Sequence, residues 1–278
     1  MPFWYKIDKN IIDFRSQLLV KIKPLEAAEL TVQFILNNYP PPYHLMISGG
    51  VDSQAMLHSW VKFGSDFIPT SVIYNNFNFH DIDNIKLFYE NYVQYINFDL
   101  LTFLELEYDT YSAKYRCSSP CISAYIKMIE NLQGTIIFSG DPFIENNPRL
   151  TDAILGLYRA SLDKKTLIPY FFLHTPELMY SFTNQDFFDK KEYINLNDYE
   201  KKIYNYRING FPIIPQQNKY SGFEKVKDFY DSKYGDLVTP KDKLKYANKP
   251  SKRTFDLLYR YPYEEKYSDM DLIFLLNK

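Results

Sequence analysis

The 278-residue chain has only two cysteines, Cys117 and Cys121, and four histidines. Two thiols cannot close a tetrahedral zinc site, and neither a Cys-x-x-Cys pair nor a cluster of histidines supplies the remainder. No apolar run is long enough to span a bilayer, so no membrane partner is expected. Neither sign of charge dominates. With 32 basic and 34 acidic side chains the formal net charge is -2, which gives no global electrostatic argument for nucleic acid. Met1 to Asn10 lacks the basic start, apolar middle and small-residue cleavage site of a secretory signal, and the expected location is cytoplasmic. Internal repeats and low-complexity linkers are also missing. Aromatics are abundant at 18%, but alongside so many Lys, Asn and Ile they read as a compositional bias rather than as base-stacking platforms.

What is present is organised around Leu45-Met46-Ile47-Ser48-Gly49-Gly50-Val51-Asp52-Ser53. Tyr43 to Ile47 is a continuous apolar run bounded by Pro40-Pro41-Pro42 and by glycines, the pattern of a central parallel strand. Gln54 to Val61 then places apolar side chains at helical spacing and stops near Gly64. A strand, a tight glycine turn and a helix put unpaired N–H groups and a partial positive charge where a phosphate can sit. Gly49 and Gly50 can take positive φ and carry no Cβ, so backbone N–H groups can turn toward a ligand and let it approach closely. Ser48 and Ser53 offer hydroxyls to phosphate oxygens. Asp52 would repel a bare phosphate and is expected to hold Mg²⁺ between them. The bland alternative is an ordinary turn in which Asp52 or Ser53 caps the helix.

Ser48-Gly49-Gly50-Val51-Asp52-Ser53 closely resembles the PP-loop of the N-type ATP pyrophosphatases, the superfamily of asparagine synthetase, GMP synthetase, NAD synthetase and the tRNA-thiolating enzymes. It lacks the Gly-Lys-Ser/Thr ending of the kinase-type loop. The resemblance implies ATP and Mg²⁺ as cofactors and cleavage of ATP between its α and β phosphates. It also implies an adenine nucleotide alpha hydrolase-like fold.

Pro24 suits the first turn of a helix whose stripe is Leu25, Ala28, Val32, Ile35 and Leu36. Phe67 to Tyr74 reads as a second strand and Tyr95 to Thr102 as a third, with a helix between them from near His80-Asp81, carried by Ile85, Phe88, Tyr89, Tyr92 and Val93. This alternation predicts an α/β protein, a parallel doubly wound sheet with helices on both faces. Ligands then sit at the carboxyl ends of the strands, which puts Ser48 to Ser53 and Tyr74 to Asn78 on one rim. The family resemblance assigns Tyr74 and Asn75 to adenine or ribose. Ser119-Pro120 suits the start of a further helix, and Gly134 to Phe138 reads as a strand ending in Ser139-Gly140-Asp141.

In asparagine synthetase-like domains a strand ending in Ser-Gly and acidic residues closes the ATP site, so Ser139 and Gly140 are expected at the nucleotide and Asp141, with Asp52, at the metal. This chain then departs from the family, running Pro142-Phe143-Ile144-Glu145, and leaves Glu145 as a candidate for the missing carboxylate. His174 stands near the family's aspartate. Past Tyr199-Glu200-Lys201-Lys202-Ile203-Tyr204 and the turn at Phe211 to Pro215, Lys219 matches the lysine that faces the phosphates and is the expected catalytic cation beside Asp52. The pattern of strands and helices fades after about Ser161. The expected division is a core over residues 1–165 and a mostly helical part over 166–278, or one continuous domain.

The function the resemblance implies is adenylation of a substrate carboxylate or carbonyl oxygen, followed by attack of ammonia or an amine. A small-molecule or nucleobase acceptor is expected as partner. No amino-terminal glutaminase is expected, since Cys is missing from position 2, so ammonia comes from solution or a separate donor. Two alternatives stand: sulfur transfer to a nucleobase through Cys117 or Cys121, and a nucleotide-binding module without catalysis. The basic run from Lys241 to Arg253 keeps a nucleic-acid partner open.

Overall fold

The computed structural model describes residues 22–64, 66–115, 117, 120–140, 152–183 and 185–216. Helix α1 (Pro24–Asn38) opens on its proline and leads through the proline turn to strand β1 (Tyr43–Met46), all of whose residues are buried. Helix α2 (Val51–Phe63) follows and stops at Gly64, where an added Cβ would lie 2.6 Å from the Trp60 carbonyl oxygen. Then come β2 (Ile68–Tyr74), α3 (Phe79–Phe88) and β3 (Gln94–Phe98). Three helices, α4 (Leu100–Leu106), α5 (Tyr108–Lys114) and α6 (Pro120–Met128), lead to β4 (Thr135–Phe138). Helix α7 (Asp152–Asp163) and β5 (Leu167–Ile168) complete the sheet, and α8 (Pro176–Thr183), α9 (Lys191–Ile194) and α10 (Asp198–Ile208) follow.

The five strands lie in the order β3-β2-β1-β4-β5 and every neighbouring pair is parallel. The expectation of an α/β protein built on a parallel sheet therefore holds. Strands β2 and β3 extend the sheet on one side of β1, and β4 and β5 extend it on the other. The order reverses at β1, and the crevice outside the carboxyl ends at that reversal is where open parallel sheets bind ligands.

Successive strand side chains point to opposite faces, so the sheet feeds two cores. Met46, Val72, Ile136, Phe138 and Leu167 join the residues of α4 to α7, among them Leu100, Phe103, Tyr108, Ile126 and Leu157. Tyr43, Leu45, Ile137 and Ile168 join Val32 and Ile35 of α1, Met56 and Trp60 of α2, Phe182 of α8 and Tyr206 of α10. Helices thus cover both faces. Strand β5 and the apolar side chains of α8 and α10 share this second core with α1 and α2, so the sheet and its packing run across the division at residue 165. Beyond β5 the regular elements among the described residues are helical.

Two boundaries differ from expectation. The third strand ends at Phe98, because Asp99 caps α4 by accepting the Thr102 N–H at 3.2 Å. Helix α3 ends at Phe88, and Tyr92, placed by periodicity on its apolar stripe, is 76% exposed. Among the described residues no helix is long and apolar enough to cross a membrane.

Candidate active site at the carboxyl end of β1

The Ser48 to Ser53 loop leaves β1 at the reversal point and turns directly into α2. Neither Gly49 nor Gly50 uses the positive φ open to it; Gly50 is the helix cap at φ -78° and ψ 156°, and its carbonyl accepts the Gln54 N–H at 3.2 Å. An extended cap suffices to turn a strand into a helix here. Gly49 is required for space instead: an added Cβ would lie 2.7 Å from the Asp81 carbonyl oxygen and 2.8 Å from the Asn84 Cβ. The first turn of α3 thus leans on the loop.

The two serines tie the turn together. The Ser53 hydroxyl accepts the Ser48 N–H at 3.0 Å, the Ser48 hydroxyl accepts the Gly50 N–H at 3.2 Å, and the two hydroxyls lie 3.1 Å apart. Val51 is buried in the core, and the N–H groups of Val51 to Ser53 open the helix without an acceptor in their own helix. This is a compact cradle of hydroxyls and amide hydrogens.

Asp52 is held by two residues of α10. Its Oδ1 accepts the Tyr206 hydroxyl at 2.7 Å, and its Oδ2 receives the Lys202 ammonium at 3.0 Å. The side chains of Lys202 and Asp52 are only 19% and 18% exposed, so this is a largely desolvated ion pair. Helix α10 is well fixed at its start by a capping box between Asn197 and Glu200. Sequence reasoning placed Lys202 in a basic helix before the proline turn but gave it no role. One lysine among many carries no local signal, and its partner lies 150 positions away.

The segment after α10 folds back over the loop. The Gln54 side chain donates to the Ile214 carbonyl and accepts the Ile214 N–H, both at 2.9 Å. Arg207 donates to the Ile213 carbonyl at 2.8 Å, the Tyr199 hydroxyl accepts the Gln216 N–H at 2.8 Å, and the Gln216 amide donates to the Gly49 carbonyl. Lys219 follows Gln216 by three positions and lies outside the described residues, as do Asp141 and Glu145.

Ser139 and Gly140 stand at the end of β4, the strand beside β1. Gly140 has φ 64°, and any side chain there would collide with the Tyr170 ring. The Ser139 carbonyl accepts the Phe172 N–H at 3.3 Å.

Tyr74 and Asn75 occupy the neighbouring stretch of rim, but their side chains face inward or sideways. Tyr74 is 4% exposed, with its ring beside Phe98 and Tyr125, and burial pushes its phenol well above the ordinary range. An adenine or ribose contact through the Tyr74 side chain does not fit this placement. Asn75 has φ 46°, accepts the Leu100 N–H at 2.7 Å and donates to Asp99 at 3.1 Å. A cavity of about 390 Å³ opens there, lined by Ile73, Asn75, Asn76, Asn97, Phe98 and Asp99.

The two cysteines differ. Cys117 is fully buried against α7, where a Cβ on Gly156 would lie 2.5 Å from its own Cβ. Cys121 is half-buried and close to the Tyr125 phenol, whose proton burial makes hard to lose, with further upward pushes from Cys121 and Asp81. Asp81, in the first turn of α3, thus brings a carboxylate near this edge of the loop that sequence reasoning did not single out. His174 is 2% exposed between the rings of Phe34 and Tyr39, and burial pushes its pKa down to about 3.

Among the described residues no group of three or more His, Cys, Asp and Glu side chains could hold a metal by itself. A single carboxylate is nevertheless a donor set Mg²⁺ uses where substrate phosphates and water complete the shell, and Asp52 stands beside the serine-glycine turn. The site is therefore a glycine turn tied by two serines, with an acidic residue beside it, at the reversal point of the parallel sheet of an α/β protein. No protein-family model matches the chain, and no curated protein matches it.

Proposed function

We propose that the chain is an ATP pyrophosphatase-type enzyme of the asparagine synthetase-like kind, with an adenine nucleotide alpha hydrolase-like fold, working in the cytoplasm. The observation that carries this reading is the position of Ser48 to Ser53: a complete Ser-Gly-Gly-x-Asp-Ser loop at the carboxyl end of the central strand of a parallel sheet, where the strand order reverses.

In this reading the amide hydrogens of Val51 to Ser53 and the hydroxyls of Ser48 and Ser53 hold the β and γ phosphates of ATP. Asp52, with Asp141, holds Mg²⁺, which when bound offsets phosphate charge and helps pyrophosphate leave. An acceptor carboxylate or carbonyl oxygen attacks the α-phosphorus, the bond to the bridging oxygen breaks, and pyrophosphate departs with that electron pair. Ammonia or an amine then attacks the activated carbon and AMP leaves. Lys219 faces the charge that builds on the phosphates, while Ser139 and Gly140 line the nucleotide's other side. Holding acceptor and ATP together supplies the orientation the first step needs.

A second reading, sulfur transfer to a nucleobase, is narrowed to Cys121, because Cys117 is sealed in the core. The test is product identity: purified protein with Mg²⁺ and α-labelled ATP, supplied with fractions of small metabolites and of RNA, should give AMP and pyrophosphate. ADP as the product would overturn the reading. Loss of turnover with continued pyrophosphate release in Cys121→Ser would favour sulfur transfer, and tight ATP binding with no product in any fraction would favour a binding module.

A further inference from the structure

Asp52 poses a problem that the proposed chemistry does not address. A carboxylate this desolvated needs a cation, and Lys202 already supplies one. Lys202 lies 3.0 Å from Oδ2, whereas Mg²⁺ binds carboxylate oxygen at about 2.0–2.1 Å. An ammonium and a divalent cation cannot both sit against one carboxylate oxygen at those distances without strong repulsion.

We infer that Lys202 is the resident counter-ion of Asp52 in the empty loop, and that it releases the carboxylate to a divalent cation when nucleotide enters, its ammonium moving to phosphate oxygens. The inference rests on the PP-loop reading above. Three features support the exchange. Lysine is a compact charge on a four-carbon stem, able to move its head while its backbone stays fixed. That backbone is fixed, since α10 is capped at Asn197 and pinned to the 211–216 segment through Tyr199 and Arg207. Tyr206 holds Oδ1 as a neutral donor at 2.7 Å, so the carboxylate keeps its orientation when the ammonium leaves. The consequence is coupling: metal without nucleotide must displace the Lys202 ammonium from its carboxylate, whereas metal with nucleotide also gives the ammonium phosphate oxygens to meet. Each ligand should therefore strengthen the other.

The test measures binding of Mn²⁺ by the electron paramagnetic resonance of the free ion, with and without α,β-methylene-ATP. It uses the full chain and its Lys202→Met, Lys202→Gln and Asp52→Asn variants, each checked for native circular dichroism. The wild-type protein should bind Mn²⁺ weakly alone and at least about tenfold more tightly with the nucleotide. Lys202→Met should bind Mn²⁺ alone about tenfold more tightly than wild type and lose most of the nucleotide's enhancement. Lys202→Gln, which keeps a hydrogen-bond donor to Oδ2, should behave in the same direction and serves if the Met variant does not fold. Equal Mn²⁺ affinity in wild type and both Lys202 variants, with the ternary complex lost only in Asp52→Asn, would overturn the exchange and leave the PP-loop reading standing. Failure of the wild-type protein to bind either ligand would overturn both.

Discussion

Two loops share the rim of the sheet, one after β1 and one after β2, and they differ in how far their polar side chains reach. After β2, Asn78 accepts the Tyr74 N–H at 3.0 Å and donates to the Val72 carbonyl at 2.7 Å, while Asn75 accepts the Leu100 N–H at the start of α4. That loop spends its side chains on its own backbone and its neighbours' backbone. After β1, Ser48 and Ser53 likewise accept N–H groups of their own turn, but Asp52 reaches a distant helix through a charge pair. A place on the rim is therefore not enough to identify a ligand-binding residue; what its polar atoms already hold separates a scaffold from a site.

The comparison breaks if substitutions in the two loops have the same consequences. Asp52→Ala should lower AMP formation about a thousandfold, as expected when charge stabilisation at a reacting phosphate is removed, and initial-rate assays at saturating Mg²⁺ would show it. Asn78→Ala should act on stability: two buried main-chain groups lose their partner, at about 2–4 kcal/mol in urea unfolding, while the folded fraction keeps its turnover. Equal loss of activity from both variants would erase the distinction.

His174 extends the contrast to a buried polar group outside the rim. Its folded-state pKa near 3 lies below the ordinary value of 6.5, so the unfolded chain binds the extra proton first. Stability should be unaffected above pH 6.5 and fall as the pH drops below it, by about 2 kcal/mol at pH 5, at 1.36 kcal/mol per unit. In His174→Leu, denaturant unfolding between pH 7 and 5 should lose that slope. The smallest effect sharpens the reading of the glycines. Gly49→Ala should cost about 1–3 kcal/mol because α3 blocks the space. Gly50→Ala should cost less than about 1 kcal/mol, since its Cβ would meet only the Ser48 hydroxyl, 3.2 Å away.

Much of this arrangement was legible in the sequence because it is encoded locally. The run from Tyr43 to Ser53 carries its own apolar strand, turn and amphipathic helix, and β2 and β4 are bounded by similar signals. The stretch from Asp99 to Thr102 reads as the end of a strand because Leu100, Leu101, Phe103 and Leu104 form an apolar run whose period does not distinguish strand from helix; the deciding signal is the Asp99 cap. Strand β5 is too short to announce itself, and only pairing with β4 defines it. The Asp52–Lys202 pair was not legible at all. It depends on how α10 docks against α2, a tertiary fact with no trace in the spacing of lysines.

The most direct test of the account is a crystal structure of the protein with α,β-methylene-ATP and Mg²⁺. The account predicts the β and γ phosphates against the Val51 to Ser53 amide hydrogens, Mg²⁺ on Asp52, and the Lys202 ammonium on phosphate rather than on Oδ2. A nucleotide seated elsewhere, such as the cavity lined by Asn75, Asn76 and Asp99, with Lys202 still paired to Asp52, would contradict it.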